Sequence, residues 1–313
     1  MAIIRNTASM MLKGKVGATT YYVAESRQLA RQAMNNSNYG VNASRTDLQQ
    51  VRRVKWSNLV NFYSANKAWM KKAYEDLKPG VSIFNRFMQL NINGATVGLT
   101  RSEAQAKVWV PASYRVTQGS LAPLVGRFES EIPGLALSGN LAISEATTVK
   151  AFSEALINAN PIFRVGDAIV LVAFYGTNTP PAPDTVPAPA TYKYFELVLD
   201  TEDVSLFQTK YPEVGFADGL LSNGNADGAH AAVFIHTRKS SGKLYVSTQD
   251  IFINDAYEQA YEMWASDSQL AKAIASYGES SSVPLAPGGA STGGSGNDSS
   301  TGGGSGDGSG SLG

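Results

Sequence analysis

The sequence predicts an α+β protein. A β-hairpin arm and a long α-helical hairpin come first. An antiparallel immunoglobulin- or fibronectin-like β-sandwich, a C-terminal helix and a disordered tail follow. Three observations predict this. The stretch TDLQQVRRVKWSNLVNFYSANKAWMKKAYEDL over 46–77 repeats apolar residues at helical spacing and holds no Gly or Pro. From about Ala106 the pattern changes to short apolar runs punctuated by Pro and Gly, as strands joined by turns require. Beyond residue 278 the chain is Gly/Ser-rich with almost no apolar side chains, so burial cannot offset chain entropy. The expected segments are an arm over 1–44, a helical hairpin over 45–105, a strand-rich domain over 106–254, a helix over 255–278 and a tail over 279–313.

Taken in order, residues 14–33 open with an alternation through Val16, Ala18, Thr20 and Tyr22, which suits a strand that turns at 24–26 and returns through Arg27–Arg31. The GKVG at 14–17 lacks the frame and the Lys-Ser/Thr ending of a phosphate loop, so its glycines read as a bend. Residues 34–44 are a polar loop. Thr46 and Gln49 have capping-box spacing at the start of the long helix. One apolar stripe runs through Leu48, Val51, Leu59, Phe62, Trp69, Ala73 and Leu77, interrupted by Lys55 and Asn66. A second runs through Val54, Val60, Tyr63, Met70 and Tyr74. One stripe is expected to pack on a short second helix over 81–90, and some of the other on a neighbouring chain. Residues 91–103 read as loop.

Further on, 108–110, 112–116 and 121–124 read as short strands and 147–159 as a helix. The run AIVLVAFY at Ala168–Tyr175 reads as the most buried strand, with 192–199 as its partner after a Pro-rich loop. Residues 231–237 and 244–248 form a hairpin through KSSGK, and 255–277 is one further helix.

Composition narrows the function. The chain has 313 residues, 43% of them hydrophobic, enough for substantial cores. The absence of cysteine excludes disulfides, thiol nucleophiles and Cys-type zinc sites. His230 and His236 are too few for a His-rich metal site. Placed six apart on one strand face with no carboxylate pattern nearby, they read as solvent-facing or hydrogen-bonded residues. Asp200, Glu202 and Asp203 read as a turn, and no HExxH, G-x-S-x-G, Walker A, GxGxxG or EF-hand pattern occurs. No cofactor, metal or small-molecule ligand is expected. The N-terminus lacks a signal-peptide pattern and the longest apolar run is too short to span a bilayer, so no membrane partner is expected.

Net charge is zero, but it is divided. Residues 1–115 hold 17 Lys+Arg and 5 Asp+Glu, and residues 116–313 hold 9 and 21. The basic region can face a polyanion such as nucleic acid. Basic and acidic surfaces of neighbouring copies can meet head to tail. Or the halves pack on each other and the charges cancel. The candidate interface residues are Lys15, Tyr21, Tyr22, Arg27, Arg31, Arg52, Arg53, Trp56, Tyr63 and Trp69, where basic side chains interleave with aromatic ones.

A set of short motifs spans residues 10–253: the GKVG at 14–17; Arg45, Thr46, Gln49 and Arg53 before the long helix; and Phe234, Gly242, Lys243 and Ser247 within GAHAAVFIHTRKSSGKLYVSTQDIF. They resemble an uncharacterised domain-of-unknown-function family of Bacteroidota and crAss-like tailed phages. No matching landmark lies between about 95 and 160. The resemblance brings no catalytic residues. It implies a virion component, assembled in the bacterial host cytoplasm, in a head–tail connector or tail ring. The expectation is a non-enzymatic structural protein that self-associates or binds neighbouring virion proteins. The alternatives are a nucleic-acid-binding module and, more weakly, an enzyme without a local motif.

Overall fold

The alternating residues near the N-terminus form strands. They are β1 (Ala2–Ile3), β2 (Gly14–Val16), β3 (Thr19–Ala24) and β4 (Arg27–Gln32), in an antiparallel sheet of order β1-β4-β3-β2. The structure is a computed structural model. It describes residues 2–3, 14–16, 19–24, 27–32, 47–75, 77–78, 80–129, 131–139, 141–176, 185–217, 219–223 and 228–277. The polar loop at 34–44, the Thr46 cap and the tail over 279–313 lie outside the described residues. The protein is α+β, with helices and antiparallel, mostly open sheets.

Helix α1 spans Asp47–Asn66, so the long helix ends eleven residues short of the expected Leu77. Asn66 ends it. Its side-chain amide donates to the Phe62 carbonyl at 2.9 Å, and its Oδ1 accepts from Trp69 Nε1 at 2.9 Å. Asparagine offers the backbone a local alternative to the next helical turn. A single 3-10 turn, Trp69–Lys72, then swings Trp69 and Met70 into the core. Asn66→Ala leaves the buried Trp69 N–H unpaired and is expected to lower stability by about 1–3 kcal/mol, read by urea unfolding.

Helix α2 (Ile83–Asn91) starts at Ser82, whose hydroxyl accepts from the Asn85 N–H, and folds back on α1 as expected. Phe62 stacks on Phe87 at 5.6 Å, and Tyr63 meets Phe84 at 5.2 Å. The expected loop at 91–103 contains the start of a short helix, α3 (Arg101–Gln105). A Thr100–Glu103 capping box opens it.

The apolar run at 108–110 is not a strand. Its backbone groups pair with α1 side chains instead. Asn58 Oδ1 accepts from the Val110 N–H at 2.8 Å, Asn58 Nδ2 donates to Val110 O at 3.0 Å, and Asn61 Nδ2 donates to Val108 O at 2.8 Å. Only β5 (Arg115–Thr117) forms in the expected 112–116 strand region. In the 121–124 region only an isolated bridge at Leu121 occurs.

Strands β6 (Gly126–Glu129) and β7 (Ile132–Leu135) precede α4 (Val149–Ala159), which Thr148 caps. Then come β8 (Ala168–Tyr175), β9 (Thr191–Val198), the short α5 (Phe207–Lys210), β10 (Val214–Ala217), β11 (Leu220–Asn223), β12 (Ala231–Ser240), β13 (Lys243–Val246), β14 (Gln249–Asp250) and β15 (Phe252–Ile253). The main sheet has order β13-β12-β8-β9, with β15 also on β12. The smaller sheet runs β10-β11-β7-β6, and β14 pairs with β5. The β12–β13 hairpin turns through Ser241 and Gly242 at φ 50° and 75°, where glycine carries no Cβ penalty.

The main sheet is covered on both faces. Val170, Val172, Phe174, Val233 and Ile235 pack with Leu59, Phe62, Met70, Trp109 and Trp264. Ile169, Leu171, Leu197 and Phe234 pack instead with Val149, Phe152 and Leu156 of α4, Phe207 of α5 and Leu135 and Leu221 of the smaller sheet. A strand buried on both faces reads as one continuous apolar run, which is why AIVLVAFY does not alternate. The first core includes residues from 59 to 264, so the expected helical hairpin, strand-rich and C-terminal segments contribute to one interior.

The single helix expected over 255–277 is three pieces: a 3-10 turn (Asp255–Tyr257), α6 (Glu258–Ala265) and α7 (Asp267–Ser276). Ser266 breaks it. Its backbone is extended (φ −68°, ψ 153°) and its hydroxyl caps α7 through the Gln269 N–H. The bend lets α7 close over α1, where Leu270, Ala273 and Ile274 bury Val54.

Candidate interaction surface

The expected site residues separate into three groups. Lys15, Tyr21, Tyr22, Arg27 and Arg31 lie on the N-terminal sheet. Lys15 pairs with Thr20, Thr20 with Arg31, Tyr22 with Leu29, and Ala24 with Arg27, so strands β2, β3 and β4 bring these positions into one sheet.

Trp69 is not at the surface. It is only 7% exposed and belongs to the core beneath α1, near Phe174. Tyr63 is half-buried, and Arg52, Arg53 and Trp56 are exposed. Arg52, Trp56, Val60 and Tyr63 recur at four-, four- and three-residue spacing, so they form one row along α1. Phe84 of α2 meets Trp56 edge-on at 6.3 Å and flanks the row. Lys55 is half-buried; burial pushes its ammonium pKa down, and the Asp267 charge opposes that shift.

Most of the two apolar stripes is covered within one copy. Among their described residues, Leu59, Phe62, Trp69, Met70, Ala73 and Tyr74 are buried against the main core, and Val54 lies under α7. Val51, Val60, Tyr63 and Leu77 stay half-buried. The buried part of the helix's apolar surface needs no neighbouring chain, while Val60 and Tyr63 keep part of the second stripe at the surface.

Both histidines are hydrogen-bonded, one of the two expected states, but the expectation of no nearby carboxylate fails at His236. His230 precedes β12; its Nδ1 accepts from the Gly176 N–H at 3.1 Å and its ring lies 4.0 Å from Tyr257. His236 is inside, and a carboxylate does face it. His236 Nε2 donates to Asp167 Oδ2 at 2.8 Å. Arg238 donates to both oxygens of Asp167 at 2.7 Å, and the Arg164 N–H adds a bond at 2.8 Å. Asp167 and His236 are fully buried. Burial alone would push the Asp167 pKa up, but the bonds from Arg238, His236 and Arg164 outweigh it and hold the carboxyl below its usual value. This cluster ties the turn before β8 to β12. It joins residues 69 and 71 positions apart, a separation that no local motif encodes.

Asp200 and Asp203 accept from the Glu202 and Ser205 N–H groups at 2.9 Å each, so the acidic run is a turn, as its spacing predicts. A groove of about 440 Å³ lies between α2 and the loop at 118–119 and includes Glu75 and Arg86. Those two side chains bind the chain itself: Glu75 accepts from the Ser120 N–H at 3.0 Å, and Arg86 donates to Gln118 at 2.6 Å. Among the described residues, no group of three or more His, Asp or Glu side chains is placed to hold a metal ion. No described helix is long and apolar enough to cross a membrane.

A further surface feature answers to a plain sequence signal, carboxylates at helical spacing. Asp255, Glu258 and Glu262 follow at three- and four-residue spacing and are all exposed. They make an acidic row along the 3-10 turn and α6, with Met263 beside it 45% exposed. No ion-pair partner for these three carboxylates occurs among the described residues. No family model, curated protein or solved structure matches this chain.

Proposed function

We propose that this chain is a non-enzymatic structural protein of a multi-copy assembly, whose basic N-terminal region contacts neighbouring copies. The observation that carries this reading is the division of charge: 17 Lys+Arg against 5 Asp+Glu before residue 116, and 9 against 21 after it. The exposed Arg52–Trp56 row on α1 supports it as a surface of the basic region among the described side chains. Opposite surface charges steer copies together and select their register.

The most concrete form is a tailed-phage particle component, in a head–tail connector or tail ring, assembled in the bacterial host cytoplasm. The resemblance of the GKVG, Arg45–Arg53 and Phe234–Ser247 motifs supports that form. The immunoglobulin-like sandwich enters only in a loose sense. The main sheet and the β10-β11-β7-β6 sheet share a core as sandwich sheets do, whereas the main sheet carries a second core on its other face.

Sedimentation velocity over rising protein concentration at low salt tests the reading. Oligomers that high salt dissociates are expected. A monomer at every concentration and salt overturns it. The exposed Arg52 and Arg53 beside Trp56 support a second reading, a nucleic-acid-binding module. Binding that weakens steeply with salt, and is lost on replacing Arg52, Arg53 and Lys55, is its signature.

A further inference from the structure

We infer that two unlike surfaces of the helical layer meet between copies: the basic aromatic row of α1 receives the acidic row of α6 from a second copy of this chain. This rests on the assembly reading and specifies its contact.

The receiving surface is the α1 row Arg52, Trp56, Val60 and Tyr63, flanked by Phe84. Trp56 is 44% exposed, a large aromatic held edge-on by Phe84 at 6.3 Å. Phe84 in turn meets Tyr63 at 5.2 Å, and Tyr63 lies 6.0 Å from the fully buried Phe87. A chain of rings thus anchors the exposed indole to the interior. Rigid aromatic anchors beside Arg are the residues that contribute most at interface centres. The local charges are those of Arg52, Arg53 and Lys55, with Asp267 of α7 the acid that acts on Lys55.

The entering surface has the opposite character. Asp255, Glu258 and Glu262 form an exposed acidic row, and Met263 adds an exposed thioether beside it. The three carboxylates oppose the exposed Arg52 and Arg53 in charge. A methionine against an indole gives a favourable sulfur–aromatic contact. Within one copy Arg52 and Trp56 of the first row and all three carboxylates of the second are exposed, on different elements, so each copy offers one of each surface. Unlike surfaces that meet head to tail propagate, and they close into a ring when the rotation between copies allows.

The occupant is a second copy because the complement is present on the chain itself. A polyanion such as nucleic acid would satisfy the α1 row but leave the α6 row and Met263 unused. That alternative is an outcome of the test below.

The test is a charge-swap pair in the full chain, read by sedimentation velocity at low salt. One variant carries Arg52→Glu and Arg53→Glu; the other carries Glu258→Arg and Glu262→Arg. Each variant alone should self-associate at least about 10-fold more weakly than wild type, because acidic meets acidic in one and basic meets basic in the other. An equimolar mixture should recover association, because both rows then find an opposite charge. Circular dichroism melts matching wild type show that the variants fold, and Trp56→Ser, a surface change, provides a second loss-of-contact variant.

Wild type that associates while all three variants associate equally well overturns this contact and leaves the assembly reading standing. Wild type that stays monomeric overturns both. Loss in the Arg52/Arg53 variant with no effect of the Glu258/Glu262 variant, and no recovery on mixing, also overturns it. If that variant then fails to bind a single-stranded DNA oligonucleotide that wild type holds, the α1 row serves a polyanion instead.

Discussion

Asp167→Ala is expected to lower the unfolding free energy by about 3–5 kcal/mol, measured by guanidinium or thermal unfolding. Asp167 is fully buried and accepts four hydrogen bonds, two from Arg238 and one each from His236 and the Arg164 N–H. Its removal leaves the Arg238 guanidinium, whose side chain is 16% exposed, without its counter-charge. It also leaves His236, whose Nδ1 already lacks a partner, with neither ring nitrogen bonded. The turn at 163–167 then loses its tie to β12. The β8–β12 register, which aligns Ala168 with Thr237 and Ala231 with Phe174, starts at that turn.

The same carboxyl predicts a pH dependence. Its folded pKa lies below the unfolded value, so its ionised form favours the folded state. That contribution is present in full above the unfolded carboxylate pKa, about 4. It is lost as pH falls below that value and through the folded pKa. The stability difference between wild type and Asp167→Asn should therefore be level at neutral pH and shrink under acid. A difference that grows on acidification would count against the arrangement.

Phe62→Ala is expected to cost about 3–5 kcal/mol, read as a lower urea midpoint. Phe62 has no exposed surface. Its ring stacks on Phe87 at 5.6 Å and meets Trp109 at 5.4 Å, Tyr114 at 5.4 Å and Phe174 at 5.9 Å. These partners come from α2, the extended segment at 108–114 and β8, so one ring joins three regions of the fold. Truncation leaves a cavity that rings fixed by other contacts cannot collapse to fill. Phe84→Ala, at a half-buried position, should cost less. Equal losses at the two positions would count against Phe62 as the centre of this core.

Much of the fold was legible locally. The α1 stripe, the Thr148-capped α4, the continuous run of β8 and the β12–β13 turn each announce themselves within a dozen residues. Three departures from expectation share one cause. Residues 46–77 hold no internal Gly or Pro, yet Asn66 ends the helix by bonding Phe62 and Trp69. Residues 108–110 have strand-forming side chains, yet Asn58 and Asn61 take their backbone groups. The C-terminal periodicity hides the Ser266 break. In each case a side-chain amide or hydroxyl competes for hydrogen bonds that helices or strands normally take. For Asn58 the partner lies 52 residues away. Of the candidate surface, the Arg52–Trp56 row could be read from spacing alone; that Trp69 lies inside could not, because spacing does not say what packs against a face.

The sequence by itself determined the α+β class, the position of the most buried strand and the unequal division of charge, because propensity, periodicity and charge are local properties. Only the tertiary structure decided that α1 stops at Asn66, that Leu59, Phe62, Trp69, Met70 and Val54 of the two apolar stripes are buried within one copy, and that Asp167 pairs with His236 and Arg238. Each of those outcomes depends on which distant group reaches a side chain first and excludes water from it.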